Sequence, residues 1–437
     1  MTEPWPAPFS AAPLDATVTI PASKSLTNRY LVLGALAEGP SRLRAPLQSR
    51  DSDLMVDALR ALGAGIDEVP GAGSVPDLVV TPIPAGHAAD AAVDCGLAGT
   101  VMRFVPPLAA LLRGAVTFDG DPAARVRPMA PVLAALRGLG VSVEGGGDGF
   151  MPFTVHGTGT VSGGHVAVDA GGSSQFISAI LLVAARFEGG LHLEHSGSSV
   201  PSVDHISMTV EVLRSLGVTV DNSVPNHWKV QPGPIAAFDV QLEQDLSNAG
   251  PFLAAALATR GTVRIPDWPL DTTQVGDKWR QILPQLGATV TLEGGLLTVT
   301  GGPEILGADL ADTSELAPSV AALCALATGP SRLRGIAHLR GHETDRLAAL
   351  VAEINALGGD AVETEDGLAI NPAPLHGGLF HSYEDHRMAT AGAIIGLAVP
   401  GVEVENIATT AKTMPAFPQM WADMAAQTAA AGIPGRG

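Results

Sequence analysis

Residues Gly39–Arg44 read GPSRLR, and residues Gly329–Arg334 read GPSRLR again. The surroundings match too: ALAEGPSRLRAPLQSRDSDLMVDALRALGAGI at 35–66 stands beside CALATGPSRLRGIAHLRGHETDRLAALVAEINALGGDAV at 324–362. Each copy closes an Ala/Leu-rich run, gives a short strand and a polar turn, and opens a second helix ending in Leu-Gly. Working outward, the same pattern recurs where helices end in ALRGLG (Ala135–Gly140), VLRSLG (Val212–Gly217) and ILPQLG (Ile282–Gly287), and weakly around Trp421–Met424. Short β-rich runs lie between, among them AVTFDG, LHLEHS, TVRIPD and VEVENI. The reading is α/β, six units of roughly 65–80 residues. Three fall in 22–236 and three in the remainder, with Pro232–Val240 as linker. A second crossing at Pro21–Ser23 returns residues 1–21 to the lobe 237–437. Two similar lobes imply an interdomain cleft, a common place for a ligand.

Composition narrows the function. The 437 residues carry a formal net charge of −19, which argues against nucleic acid as a partner, because a phosphate backbone needs a basic face. Two cysteines, Cys95 and Cys324, form no CxxC pair, so neither a disulfide framework nor a cysteine-based zinc site is expected. The twelve histidines show no HExxH spacing, and no metal is expected. No GxGxxG follows a strand and no GxxxxGK[ST] occurs. The apolar runs, such as Ala391–Val399, are shorter than the ~18 residues of a membrane span. A cytoplasmic protein with no membrane partner is the expectation.

The polar clusters fall at two equivalent places in the units. At the starts of first helices lie SKSLTNR (Ser23–Arg29), LAGTVMR (Leu97–Arg103), SSQF (Ser173–Phe176), SELAPS (Ser314–Ser319) and EDHRMA (Glu384–Ala389). At the starts of second helices lie DSD (Asp51–Asp53), DPAARVRP (Asp121–Pro128), SSVPSVD (Ser198–Asp204), GHETDR (Gly341–Arg346) and KTMPAFP (Lys412–Pro418). Helix N-termini favour phosphate and carboxylate through free N–H groups and a partial positive charge. Any one cluster alone reads more readily as an N-cap, and Glu343 with Arg346 as a solvated i, i+3 pair. Lys24 and Lys412 could be surface charges, but the chain has only four lysines, so lysine is not its routine solubilising residue.

PASKSLTNR, LAGTVMRF, SSQFISAILL, HLRGHETDRL, YEDHRMA and TTAKTMPAFP, in this order along the chain, resemble the motif series of the 3-phosphoshikimate 1-carboxyvinyltransferases, the EPSP synthases. The resemblance implies an enolpyruvyl transferase-like fold, two lobes each of three βαβαββ units. It also implies transfer of the enolpyruvyl group of phosphoenolpyruvate to the 5-hydroxyl of 3-phosphoshikimate by a cofactor-free monomer on the route to chorismate. Carried over by motif, Ser25 and Arg29 hold the shikimate carboxylate, and Ser173, Ser174 and Ser199 its phosphate. Gln175 lies between the substrates. Lys24, Arg125, Arg346, Arg387 and Lys412 surround phosphoenolpyruvate, and Gly99 leaves space beside it. Arg127 is the reserve for Arg125, since Ala123 occupies the usual arginine position. Glu315 accepts the hydroxyl proton, Glu343 protonates the methylene carbon, and Lys24 assists either step.

Departures from the family pattern are Leu97, Phe104, Ser202, Glu315 in place of a frequent Asp, and His342 in place of lysine. His342, on the 3-phosphoshikimate side, is expected to make binding sensitive to pH near neutrality. In this family glyphosate occupies the phosphoenolpyruvate site and is sensitive to the space beside the glycine matched by Gly99. Two alternatives stay open. The UDP-N-acetylglucosamine enolpyruvyl transferases share fold and donor, but carry a Cys in the loop that here reads DPAARVRPMAP and Asn after the first Lys. A non-catalytic anion-binding paralogue would not need Glu315 and Glu343.

Overall fold

The computed structural model describes residues 3–197 and 200–428. The two copies of SRLR are both strands, Ser41–Arg44 and Ser331–Arg334, and they do the same work. Each runs parallel to one neighbour, Asp239–Gln241 or Asp309–Ala311, and antiparallel to the other, Asp77–Thr81 or Leu368–Asn371. Ser41 Oγ accepts from Phe238 N and Ser331 Oγ from Ala308 N, both at 3.3 Å. Arg44 pairs with Asp239 and Arg334 with Asp309. Identical sequence here means identical position in two copies of one unit.

Five four-stranded sheets share that order: a parallel pair, then two antiparallel strands. The sixth has three strands, Gly378–Phe380 parallel to Val402–Val404, with Trp5–Pro6 antiparallel on its other side. A parallel pair needs a helical crossover, which is why an apolar helix precedes the second strand of each unit. Five second helices stop at glycines with positive φ, Gly63, Gly140, Gly217, Gly287 and Gly358, the left-handed C-cap that the Leu-Gly endings announce.

The chain divides into two compact units, Ala22–Glu243 and Met1–Pro21 with Gln244–Gly437. One crossing falls at Pro21–Ala22, and the other at Glu243–Gln244, beyond the boundary expected at 236. The segment read as a linker ends inside the first unit: its last two residues begin the strand Asp239–Gln241, which completes the sheet of Ser41–Arg44. The N-terminal strand Asp15–Thr17 likewise completes a sheet of the other unit, parallel to Thr262–Ile265.

In unit Ala22–Glu243, the helices Lys24–Leu36, Gly99–Ala109 and Gln175–Ala184 pack on one another inside the core. QFISAILLVA is apolar almost all round, the pattern of a helix with no solvent face. In the other unit, Gly250–Thr259, Ala317–Ala325 and His386–Ala398 take the same place. The second helices, such as Arg50–Ala61, are amphipathic and bury one stripe. Among the described residues no helix is long and apolar enough to cross a membrane.

Candidate active site

In unit Ala22–Glu243 the three buried helices begin at Lys24, Gly99 and Gln175. Ser23 caps the first, accepting from Leu26 N, and so fixes where Lys24 leaves the backbone. Lys24 Nζ reaches Asp51 Oδ2 at 3.1 Å. Asp51 is buried in the first turn of Arg50–Ala61, which a Ser49/Ser52 capping box starts. Asn28 donates to Thr100 Oγ1 at 2.7 Å, joining the first two helices.

Arg29 is buried and donates to Thr209 Oγ1 (2.8 Å), Ser25 O (2.9 Å) and His205 O (3.0 Å), with its guanidinium over the Phe104 ring. Ser25 thus meets Arg29 through its carbonyl. Ser173 Oγ accepts from Gln175 N at 3.3 Å, and Ser174 is the buried N-cap residue of the Gln175 helix. Ser199 lies outside the described residues.

A pair of arginines stands beside Gly99. A Cβ built on this glycine would lie 2.9 Å from a terminal nitrogen of Arg103 and 3.1 Å from one of Arg127. Arg103 donates to Gln175 Oε1 at 2.7 Å and stacks over Phe176. Its Nε is buried without a partner, and burial first, then Arg127, push its pKa well below the ordinary value. A buried guanidinium in this condition is short of an anion. Arg127 donates to Leu97 O at 3.1 Å. Arg125, first choice from sequence, instead faces solvent, its guanidinium clamped on Asp119 at 2.8 and 2.7 Å. Of the two arginines, Arg127 is the one that stands beside Gly99.

In the other unit, Arg346 opens the helix Arg346–Ala356 and is gripped by Asp385 at 2.7 and 3.1 Å, both side chains almost wholly buried. Asp385 also caps the helix His386–Ala398, accepting from Arg387 N at 2.8 Å, so one carboxylate holds the Arg346 guanidinium and the backbone from which Arg387 leaves. Arg387 donates to Glu315 Oε1 at 2.8 Å. Glu315 sits in the turn Ser314–Leu316 before Ala317–Ala325. The backbone bends sharply to deliver these groups: Ser314 before Glu315, and Tyr383 and Glu384 before Asp385, all have φ near +50°, which costs non-glycine residues energy and recurs at functional sites.

Glu343 accepts from Lys412 Nζ at 2.6 Å and meets His386 Nδ1 at 3.2 Å. Burial alone would raise its carboxyl; Lys412, His386 and Arg346 outweigh burial and hold it well below the usual range, ionised. His342 corrects the expectation drawn from sequence. Burial, then Arg346 and His338, push its imidazole well below 6.5. Arg346 can only donate, so at 3.3 Å His342 Nδ1 is the acceptor and the ring is neutral. It does not titrate near neutrality. Glu343, Asp385 and His386 lie close enough to share a cation, but Lys412 and Arg346 already neutralise the two carboxylates.

Lys24, Gly99 and Gln175 thus open the three buried helices of one unit, and ion pairs and hydrogen bonds tie together Glu315 with Arg387, Arg346 with Asp385, and Glu343 with Lys412 in the other. Sequence reasoning left Arg103, Asp51, Asp385 and His386 without roles. Arg103 and Asp385 lie inside quoted motifs, but their partners come from distant segments.

The family model for EPSP synthase (3-phosphoshikimate 1-carboxyvinyltransferase) matches residues 10–421. A 3-phosphoshikimate 1-carboxyvinyltransferase of Kocuria rhizophila is 62% identical over 427 residues, 96% of each chain. An EPSP synthase structure from Acinetobacter baumannii superposes with TM-score 0.82 at 25% identity, covering 98% of this chain and 99% of that one. The enolpyruvyl transferase NikO from Streptomyces tendae shares the fold, with TM-score 0.74 at 18% identity over 97% of this chain and 98% of its own. A sequence match of this length, with the repeated units and paired carboxylates described above, places the chain in the EPSP synthase family.

Proposed function

We propose that the protein transfers the enolpyruvyl group of phosphoenolpyruvate to the 5-hydroxyl of 3-phosphoshikimate, releasing phosphate, in the route to chorismate. The observation that carries this reading is the pairing of both carboxylates with cations: Glu343 with Lys412, and Glu315 with Arg387. Substrate phosphate and carboxylate compete for those same cations. Lys24, Arg127, Arg346, Arg387 and Lys412 hold phosphoenolpyruvate, with Arg103 and Gln175 behind Gly99. Ser173, Ser174, Arg29 and Ser25 hold 3-phosphoshikimate, and Ser199 completes its phosphate site.

When the donor phosphate engages Lys412, Glu343 loses its nearest counter-charge, and burial, the largest influence on its carboxyl, then favours the protonated acid. Arg387, drawn to the donor carboxylate, releases Glu315 to accept the hydroxyl proton. The 5-oxygen bonds to C2 of phosphoenolpyruvate as C3 takes a proton from Glu343, giving a tetrahedral intermediate. Loss of a proton from C3 then expels phosphate from C2 and restores the C2–C3 double bond, now as an enol ether. Lys24 beside the reacting oxygens stabilises developing charge. The enzyme works as a cytoplasmic monomer on small molecules, without cofactor or nucleic acid.

The test is phosphate release from phosphoenolpyruvate with 3-phosphoshikimate as acceptor, repeated with UDP-N-acetylglucosamine. Release with the first alone is expected. Release with the second alone overturns the reading, and release with neither makes the chain a non-catalytic relative.

A further inference from the structure

Away from these residues, the third sheet of unit Ala22–Glu243 has one buried face, with Val166, Leu193 and Trp228, and one outward face. The outward face carries His165, His192, Glu194, His227 and Lys229 on three adjacent strands. Register fixes their neighbours: His165 stands opposite His192, Glu194 opposite His227, and His192 opposite Lys229. His192 Nε2 lies 3.2 Å from His227 Nδ1, and His165 Nε2 lies 3.2 Å from Glu194 Oε2. The His165 and His192 ring centroids are 4.9 Å apart.

Zinc bound tetrahedrally by nitrogen and oxygen has bonds of about 2.0–2.1 Å, so its ligand atoms stand about 3.3–3.4 Å apart. Both contacts are therefore already close to an edge of such a tetrahedron. We propose that His165, His192, His227 and Glu194 form a surface site for a borderline transition-metal cation such as Zn²⁺ or Co²⁺. In the empty protein the two pairs stand side by side. His165 and Glu194 have side chains 54% and 40% exposed, and rotation of such side chains is fast, so both can turn onto an ion held by His192 and His227. Three imidazoles and one carboxylate suit these cations. Lys229 opposes the ion, and its flexible exposed stem lets its charge swing away. A bound ion would staple three strands of this sheet, a cross-link no single hydrogen bond there provides.

The test titrates Co²⁺ into the intact protein at neutral pH, following the visible absorption of the tetrahedral ion, with Zn²⁺ displacement as confirmation. One equivalent is expected, with affinity falling roughly tenfold or more in each of His165→Gln, His192→Gln and His227→Gln. All three substitutions lie on the outward face and should leave the thermal midpoint of the metal-free protein unchanged. Silence in the native protein, or binding equally tight in the three variants, overturns the proposal. A signal lost in Glu343→Gln instead would place the ion among Glu343, Asp385 and His386, and equally overturns it.

Discussion

Gly99→Ala probes the donor pocket with one methyl group. Gly99 opens its helix with φ outside the left-handed region, so alanine adopts the same backbone and helix propensity favours it. The new Cβ would meet Arg103 at 2.9 Å and two Arg127 nitrogens at 3.1 and 3.3 Å. Arg103 is buried and fastened to Gln175 and Phe176, so it yields little. Arg127 must shift, or the methyl takes space from the bound anion. Such overpacking costs about 1–3 kcal/mol, a factor of about 5–150 in affinity. Glyphosate, longer than phosphoenolpyruvate, reaches further into that space and bears most of the cost. The assay is steady-state inhibition against phosphoenolpyruvate for native protein and variant. The glyphosate Ki should rise by that factor and the KM for phosphoenolpyruvate by less. Equal weakening of both, or of neither, refutes a donor pocket beside Gly99.

Glu343→Gln should lower kcat by about 10²-fold or more while 3-phosphoshikimate still binds by calorimetry. The same variant should flatten the acid limb of stability: the native carboxyl lies below its ordinary 4.5, so its contribution is present above that pH and lost as pH falls below it. Arg127→Ala should raise the KM for phosphoenolpyruvate strongly, whereas Arg125→Ala, which removes only an exposed pair with Asp119, should change it little. Asp385→Asn strands the buried Arg346 charge, and urea denaturation should show a loss of about 3–5 kcal/mol. Across pH 7 to 8 the KM for 3-phosphoshikimate should show no titration of His342, and His342→Gln should leave the shape of that profile unaltered.

The fold was legible because its signals are local and repeated. Leu-Gly endings mark real left-handed caps, and GPSRLR marks the same strand twice. The Pro232–Val240 segment misled because a strand of three residues, paired with a partner almost two hundred positions away, carries no local periodicity. The helix starts carrying the candidate residues were legible for the same local reason, as Lys24, Gly99, Gln175 and Arg346 all open helices. What sequence could not supply was pairing in space. Arg125 and Arg127 differ by two positions, yet one faces Asp119 and the other Gly99. His342 looked like a titrating group because its burial is a tertiary property. The histidines of the outward sheet face escaped spacing rules because register, not sequence distance, brings them together.

The strand Asp15–Thr17 bears on how the protein is made. Its partner strand emerges only after the whole of Ala22–Glu243, and Asp15 meets Arg264 across 249 residues. At roughly 5–20 residues per second that is a wait of about 12–50 s on the ribosome. Throughout this interval residues 3–20 wait as an unpaired edge, and only near its end, once Asp239–Gln241 has been made, does the inserted unit have every strand it needs. Trp5–Pro6 waits longer still, for Val402–Val404. Synthesis therefore completes the unit carrying Lys24, Gly99 and Arg127 first, and the unit carrying Glu315 and Glu343 can close only when the last of the chain has been made.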